Sequence, residues 1–589
     1  MKKLILIILL IILSQLVLAY TLPKTLFITS GDGDGRGTVS DGVILAMQEL
    51  NRHGAIVKLD NRKILYKPQE LAQYQILIIS TAYGYHDADR LYSLSFLSDI
   101  EMNNISEWVE QGGILIGDNF LGRNRLDGSD RISQQGAQDS RNWPLSSCFQ
   151  VELLEKNMKD FQVISQNEKI WQGEITEIYR EAEWTTVISK ILDQESEIWA
   201  NWQAGDKTYP AIVKSNFGQG TAILLANFNL LHPASDGGFS SSEEIEKFYH
   251  EILQLTQKNK QYPIYLHPWK FAKSSAFSIS FGDSGENSQY ERIVDFIDQN
   301  KLKSSFFVSN QISAEQLAKF RKSDKINLEL NSFSRADFRK LSYAQTSQEI
   351  QQNRTLIPTA IGFRFPFTNN SYWGLLGLTE ENLLYDSSIG VNHLEFYRGS
   401  IFPYNIPIFS QGYYRSLDLL EVSQIFYDDW YFYQKILSDQ TYDNSQQIID
   451  SKRFSAYLTS LWSRVILPKN GLMVVMAHPL YSGYSKQTLE PLQDMLELAR
   501  QDDSWICAID EIARHWNQLL ALNVNIVQSP KSLQISLDAA DNIEGLTLRL
   551  PQKPLKVQYD GKYQLEIKND KTFLILQNAQ PDDQIDLAF

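Results

Sequence analysis

The sequence predicts a three-part α/β chain: an N-terminal open, mostly parallel sheet with helices, a central β/α barrel and a small C-terminal all-β sandwich. Three observations lead there. Strand and helix signals alternate from about 24 to 257, and a second alternating series runs from 274 to about 520. After about 525 the pattern changes to short period-two runs divided by Asp, Asn, Gly and Pro turns. A length of 589 residues gives each part enough chain to bury its own core.

The N-terminus carries Lys2 and Lys3, an apolar run over 4–13, then Ser14, Gln15 and the small-residue exit Val17, Leu18 and Ala19. This is the layout of a secretory signal peptide over 1–19, with the mature chain starting near Tyr20. An uncleaved signal anchor is the other reading, since 4–20 as a helix would span roughly 25 Å. No cysteine follows Ala19 to accept a lipid. Either way the rest of the chain is expected outside the cytoplasm, secreted, periplasmic or associated with the cell envelope. The only membrane contact expected is an uncleaved N-terminal segment.

In the first part, 24–257, residues 24–29 read as a strand and 40–52 as a helix ending at Gly54. Residues 76–80 read as a buried strand, 105–111 as a helix and 113–117 as a further strand. A Gly-x-Gly turn at Gly218 and Gly220 leads into a strand over 221–227, and 242–255 is an amphipathic helix. The glycine-rich stretch Gly31, Asp32, Gly33, Asp34, Gly35, Arg36, Gly37 misses the nucleotide-loop spacing, and its aspartates would repel phosphate. It fails as a calcium loop too, with Arg36 and Val43 at positions that need oxygen ligands.

A connector over 258–273, rich in Lys, Gln and Pro, leads to the second part, 274–520. Strands are expected at 277–281, 304–308, 327–331, 361–365, 384–387 and 472–478. Helices are expected at 290–297, 313–320 behind a capping box from Ser313 to Gln316, 343–350 and 454–465. Such units close most readily into a β/α barrel with functional residues at strand ends. The sandwich, 525–589, has runs at 533–537, 546–550 and 565–567.

Composition narrows the function. With 55 Lys+Arg against 70 Asp+Glu the chain carries a net charge of −15, which argues against nucleic acid as a partner. A 43 % hydrophobic and 21 % charged content is globular rather than disordered, fibrous or polytopic in a membrane. Two distant cysteines, Cys148 and Cys507, make neither a disulfide framework nor a thiolate cluster, and are expected in the core. Metal chemistry would rest on eight histidines and the carboxylates.

In layout, the first part resembles the class I glutamine-amidotransferase-like fold, a flavodoxin-like open parallel sheet, down to the Gly-x-Gly turn followed by His232 and Pro233. The resemblance implies a cysteine nucleophile on the turn after a strand. Here that strand ends Ile116, Gly117, Asp118, Asn119, and glutaminase activity is not expected.

The second part carries five short motifs in order: Gly282 and Asp283; Asn331 to Arg335; Arg364, Phe365, Pro366, Phe367; Asp386, Ser387, Ser388; and His478, Pro479. In these it resembles the polysaccharide deacetylase (NodB homology) family, a carbohydrate-metabolism hydrolase family. The resemblance implies a deacetylase-type barrel in which one aspartate and two histidines hold a divalent metal. A second aspartate would be the base and a distal histidine the acid, acting on acetylated sugars. The metal-ligand aspartate matches Asp283, the general acid His478, and the arginine and fourth-motif aspartate Arg364 and Asp386. The base position, however, is Gly282, and Asn331 and Arg335 stand where the two histidines belong. A guanidinium about 4 Å from a dication would be repelled by roughly 8 kcal/mol at an effective dielectric near 20.

Arg335 is therefore expected to turn toward Asp283 and take the metal position as a salt bridge, with Asp386 orienting His478. No cofactor is expected, and a divalent metal only if the site is rewired, with Asp283, Glu286, Glu329 and Asn331 as oxygen ligands. Tyr413, Tyr414, Tyr427, Trp430, Tyr431, Phe432 and Tyr433, beside Asp428 and Asp429, offer flat faces and carboxylates suited to sugar rings; Phe367, Trp430 and Tyr431 are the substrate-binding candidates. The resulting expectation is a catalytically impaired, deacetylase-like pseudoenzyme that binds a polysaccharide or peptidoglycan-type glycan. Its rivals are an active carbohydrate deacetylase with rewired ligation, and a non-catalytic scaffold in an exopolysaccharide machine or other envelope complex.

Overall fold

The computed structural model describes residues 18–29, 36–81, 94–127, 129–131, 143–156, 161–165, 174–179, 185–233, 240–258, 260–391, 399–410, 413–433 and 450–589. Most of the leader and of the glycine-rich loop read in the sequence lies outside these residues.

In the first part, Val57–Leu59, Thr25–Thr29, Ile76–Ser80, Ile114–Asp118 and Gly220–Leu225 lie side by side in parallel. Ile76–Ser80 and Ile114–Asp118 are buried along their whole length, because helices cover both faces, so their sequences are apolar without alternation. Ser40 caps the helix Asp41–Arg52, and capping boxes Ser98 with Glu101 and Ser241 with Glu244 open Asp99–Glu110 and Ser242–Gln257. The sheet then leaves the expected pattern, continuing antiparallel through Lys207–Phe217, Glu197–Ala204, Phe161–Ser165 and Glu174–Tyr179. Tight turns make this possible: Gly205 and Gly218, both at φ near +60°, reverse the chain between neighbouring strands where a parallel pair would need a helix.

The central sheet is parallel through Tyr413–Glu421, Tyr385–Asp386, Gly362–Phe363, Ile326–Leu330, Ser304–Val308, Ala276–Gly282 and Leu472–Ala477. Tyr404–Ser410 adds an antiparallel edge beside Tyr413–Glu421. Among the described residues its two edges do not pair, so the sheet is a curled half-barrel and not the closed barrel expected. The edge hairpin is committed elsewhere. Tyr404 donates to the Gly37 carbonyl at 2.9 Å, and Ser416 and Asn61 exchange hydrogen bonds of 2.9 and 3.1 Å, tying the hairpin to the first part.

The C-terminal strands form two sheets whose inward residues, among them Val524, Ile526, Ile535, Leu548, Leu574 and Leu587, join the central core. Two strands come from far away in sequence. Leu18–Thr21 pairs antiparallel with Asn523–Ser529, and Tyr265–Leu266 with Ile543–Leu550. The end of the expected leader and the connector thus cover sandwich edges that would otherwise leave backbone groups unpaired. At the seam, Gly54 has φ +84, and a Cβ there would lie 2.0 Å from the Leu266 carbonyl oxygen.

Candidate functional site

The parallel strands of the half-barrel end together, and their C-terminal ends carry Asp283, Asn331, Arg364, Asp386 and His478. Asp283 is buried. Its Oδ2 accepts the Ser309 amide at 2.6 Å and the Ser309 hydroxyl, and its own carbonyl accepts the Tyr290 hydroxyl at 2.5 Å. Arg335 is turned toward it, with Nη1 3.9 Å from Asp283 Oδ1 and 3.2 Å from Gln311 Oε1. Arg335 holds φ +58, a conformation uncommon outside glycine and asparagine, and one that fixes where its long side chain leaves the loop.

Gly282 lies against the edge of the His478 ring. A Cβ built there would be 2.8 Å from Cδ2 and 3.1 Å from Nε2 of His478, so the space of a base side chain is filled by imidazole. His478 itself is held by Asp429. Nδ1 stands 2.7 Å from Asp429 Oδ1, the His478 amide donates to Oδ2 at 2.7 Å, and the Ser482 amide and hydroxyl donate to Oδ2 at 3.1 and 2.7 Å. Burial pulls the His478 pKa down, but the Asp429 charge and hydrogen bond, with Asp428 behind it, outweigh that and leave it above the ordinary value. The orienting carboxylate is thus Asp429, not Asp386 as expected. Its signal in the sequence is the acidic pair among the aromatics before the last barrel strand, a pattern that reads equally as sugar-binding.

Asp386 is spent elsewhere. Its Oδ1 accepts the Ser388 hydroxyl at 2.7 Å, and burial beside Glu421 drives both carboxyls up. Arg364, also buried, donates to the Ser387 carbonyl at 2.8 Å, the Ser280 hydroxyl at 2.9 Å and the Ser387 hydroxyl at 3.1 Å. Its guanidinium lies 4.0 Å over the Phe307 ring, and burial brings its pKa to about 10. It acts here as a brace between three strands.

The donors around Asp283 do not fit the family's metal. One carboxylate oxygen is taken by Ser309, Asn331 offers only an amide, and a guanidinium faces the remaining carboxylate oxygen. The rewired oxygen set does not assemble either. Glu329 is buried and accepts the Ile361 and Gly362 amides at 2.9 and 2.6 Å, while Glu286 is exposed. Asp428, Asp429 and His478 lie close enough to share an ion, but four hydrogen bonds already use both Asp429 oxygens.

Around this end, Phe367 is 66 % exposed, Trp430 49 % and Tyr431 36 %. Phe367 adopts φ +57, which pushes its ring outward. Tyr431 packs on Tyr427 with centroids 4.3 Å apart. Phe432 and Tyr433 are core residues instead, packed on Phe454, and the side chains of Tyr413 and Tyr414 lie outside the described residues. The cysteines are buried, and burial pushes the Cys148 thiol up to about 12, far from a nucleophile.

No protein-family model matches the chain, and no curated protein does. Among solved structures it is similar to a protein from Mycobacterium smegmatis assigned as a polysaccharide deacetylase, at 16 % identity and TM-score 0.36, over 42 % of this chain and 92 % of that one. A protein from Pseudomonas aeruginosa with the same assignment gives 14 % identity and TM-score 0.34, over 43 % and 94 %. A CE4 family pseudoenzyme from Bacillus anthracis gives 14 % identity and TM-score 0.27, over 42 % and 66 %. The likeness to these polysaccharide deacetylases and CE4 proteins is one of fold, over less than half of the chain.

Proposed function

We propose that this chain is a cell-envelope protein that binds a polysaccharide or peptidoglycan-type glycan at the open end of its half-barrel, without deacetylating it efficiently. One observation carries the reading: the ring of His478 fills the space of the base at Gly282, while Arg335 faces Asp283 in the place of a metal ion. Loss of a general base alone typically costs about 10²- to 10⁴-fold in rate, and the electrophilic metal would be missing as well. What remains is an acid-holding histidine, a buried brace and an aromatic rim. Phe367, Trp430 and Tyr431 present apolar faces, and Asp428 lies close by; together they match the C–H faces and hydroxyl edges of a sugar.

Secretion rests on the sequence of 1–19, and a place in an envelope complex is a further part of the proposal. Binding of the purified protein to a panel of N- and O-acetylated glycans, by affinity electrophoresis or calorimetry, tests the reading. Saturable binding without acetate release supports it; absence of binding across the panel, with co-purification of an envelope complex, would replace it with the scaffold reading.

A further inference from the structure

Far in sequence from the barrel motifs, the helices Asp41–Arg52 and Ser242–Gln257 pack together and bring Glu49, His53 and His250 to one point. Glu49 and His53 are one helical turn apart at the C-terminal end of the first helix, and His250 faces them from the second. The Glu49 side chain is 1 % exposed, and among the described residues neither carboxylate oxygen receives a conventional hydrogen bond from a backbone amide, hydroxyl or side-chain amide. Oε1 lies 3.1 Å from His53 Nε2 and 3.4 Å from His250 Nδ1, and Oε2 lies 2.5 Å from Arg52 Nη2. The two rings meet edge to face, with centroids 5.2 Å apart.

These distances have a chemical meaning. In a tetrahedral zinc site with bonds of about 2.0–2.2 Å, neighbouring donor atoms are spaced about 3.3 Å apart. The Oε1–Nε2 and Oε1–Nδ1 separations already match that edge, and the donor atoms of all three residues lie within 4.8 Å of one another. A buried carboxylate without backbone donors is costly unless a cation compensates it. Arg52 holds Oε2, leaving Oε1 as a single-oxygen donor. The Gln254 carboxamide is 3.2 Å from His250 Nε2, and with its oxygen toward the ring it would accept Nε2–H and leave Nδ1 free to ligate. Among the surrounding charges, Arg52 and Arg549 oppose a dication and Glu251 favours one.

We infer that Glu49 Oε1, His53 Nε2 and His250 Nδ1 form a site for a divalent transition ion of the zinc type, water completing it on the exposed side of His250. The ion would clamp two helices of the first part beside the seam at Gly54, independently of any glycan at the half-barrel.

The test uses the full chain, stripped with chelator and desalted, and titrated with Zn²⁺ by calorimetry and with Co²⁺ by visible absorption. The expected result is one equivalent of Zn²⁺ bound at micromolar Kd or tighter, a four-coordinate Co²⁺ spectrum, and a melting temperature raised by Zn²⁺. His250→Ala, on a half-exposed side chain, should fold normally, bind about 100-fold more weakly, roughly 2.7 kcal/mol, and lose the Zn²⁺-dependent melting shift. His53→Ala should behave alike, whereas His478→Ala and Asp283→Ala should bind as the parent does. Failure of the parent to bind, binding unaffected by His250→Ala, or binding lost in His478→Ala would each overturn the assignment.

Discussion

Asp429 holds His478 through both the ring and the backbone of that residue, with Oδ1 2.7 Å from Nδ1 and Oδ2 2.7 Å from the amide nitrogen. Since burial alone would depress the imidazole, the raised pKa depends on this carboxylate and on Asp428. Asp429→Asn should therefore drop the His478 pKa, as followed by NMR titration of the histidine ring. A histidine raised on folding contributes stability that is full below its unfolded pKa, about 6.5, and lost as pH rises through the folded value. The stability gap between parent and variant, from denaturant unfolding, should be widest on the acid side, near pH 5–6, and narrow toward pH 9. An unchanged ring titration would remove Asp429 from its orienting role.

Gly282 is where the resemblance would place a base, and restoring one is predicted to fail by itself. Gly282→Asp sets a Cβ within 2.8 Å of a ring that Asp429 prevents from swinging away. The expected cost is roughly 1–3 kcal/mol of stability, as for other overpacked sites, with no gain of acetate release. A variant as stable as the parent would mean that the His478 ring gives way freely.

Glu329 titrates in an unusual range. Burial, with Asp510 nearby, raises its carboxyl to about 8. A carboxyl that is protonated in the folded state but ionised in the unfolded chain makes stability fall as pH rises between the two pKa values, here from about 4.5 to about 8. Glu329→Gln keeps an oxygen for the Ile361 and Gly362 amides and removes the titration. Its unfolding free energy should accordingly decline less between pH 5 and pH 8.5, by about 1.4 kcal/mol for each pH unit that separates the folded and unfolded pKa values. Parallel pH profiles for the two proteins would contradict this.

Trp430 is half exposed and adjacent to Asp429, so its ring is free for a ligand more than for the core. Trp430→Ala should weaken glycan binding by about 1–2 kcal/mol, near tenfold, and leave the melting temperature unchanged. Titration of both proteins with the tightest-binding glycan checks it; equal affinities would take the rim out of the binding site.

Much of the half-barrel is legible in the sequence because strands such as Ala276–Gly282, Ser304–Val308 and Leu472–Ala477 are short, mainly apolar runs, whereas Tyr413–Glu421, with Arg415 and Asp418 inside it, gives no such signal. Ser304–Val308 coincides with its expected span, Ala276–Gly282 runs one residue further at each end, and Leu472–Ala477 starts as expected and stops one residue early. Asp99–Glu110 starts six residues before the apolar periodicity suggests, because its beginning is marked by the Ser98–Glu101 capping box and not by apolar residues. The antiparallel strands Phe161–Ser165 to Lys207–Phe217 escape sequence reading because a mixed, charged sequence on a sheet extension lacks a continuous apolar run. Local pattern says nothing of long-range pairing, so Leu18–Thr21 beside Asn523–Ser529 is not legible. At the site, motif order locates Asp283, Arg364, Asp386 and His478. The partner of His478 comes from a different segment, at Asp429, and the cluster of Glu49, His53 and His250 needs two helices brought together.

Acetate release decides whether the half-barrel leaves an acetylated glycan without deacetylating it efficiently. Parent protein and Asp283→Ala are incubated with N- and O-acetylated glycans, with and without added Zn²⁺ or Co²⁺, and free acetate is followed over time. No turnover above the no-protein control is expected in any condition, and no difference between the two proteins. Metal-stimulated acetate release by the parent that Asp283→Ala abolishes would contradict it.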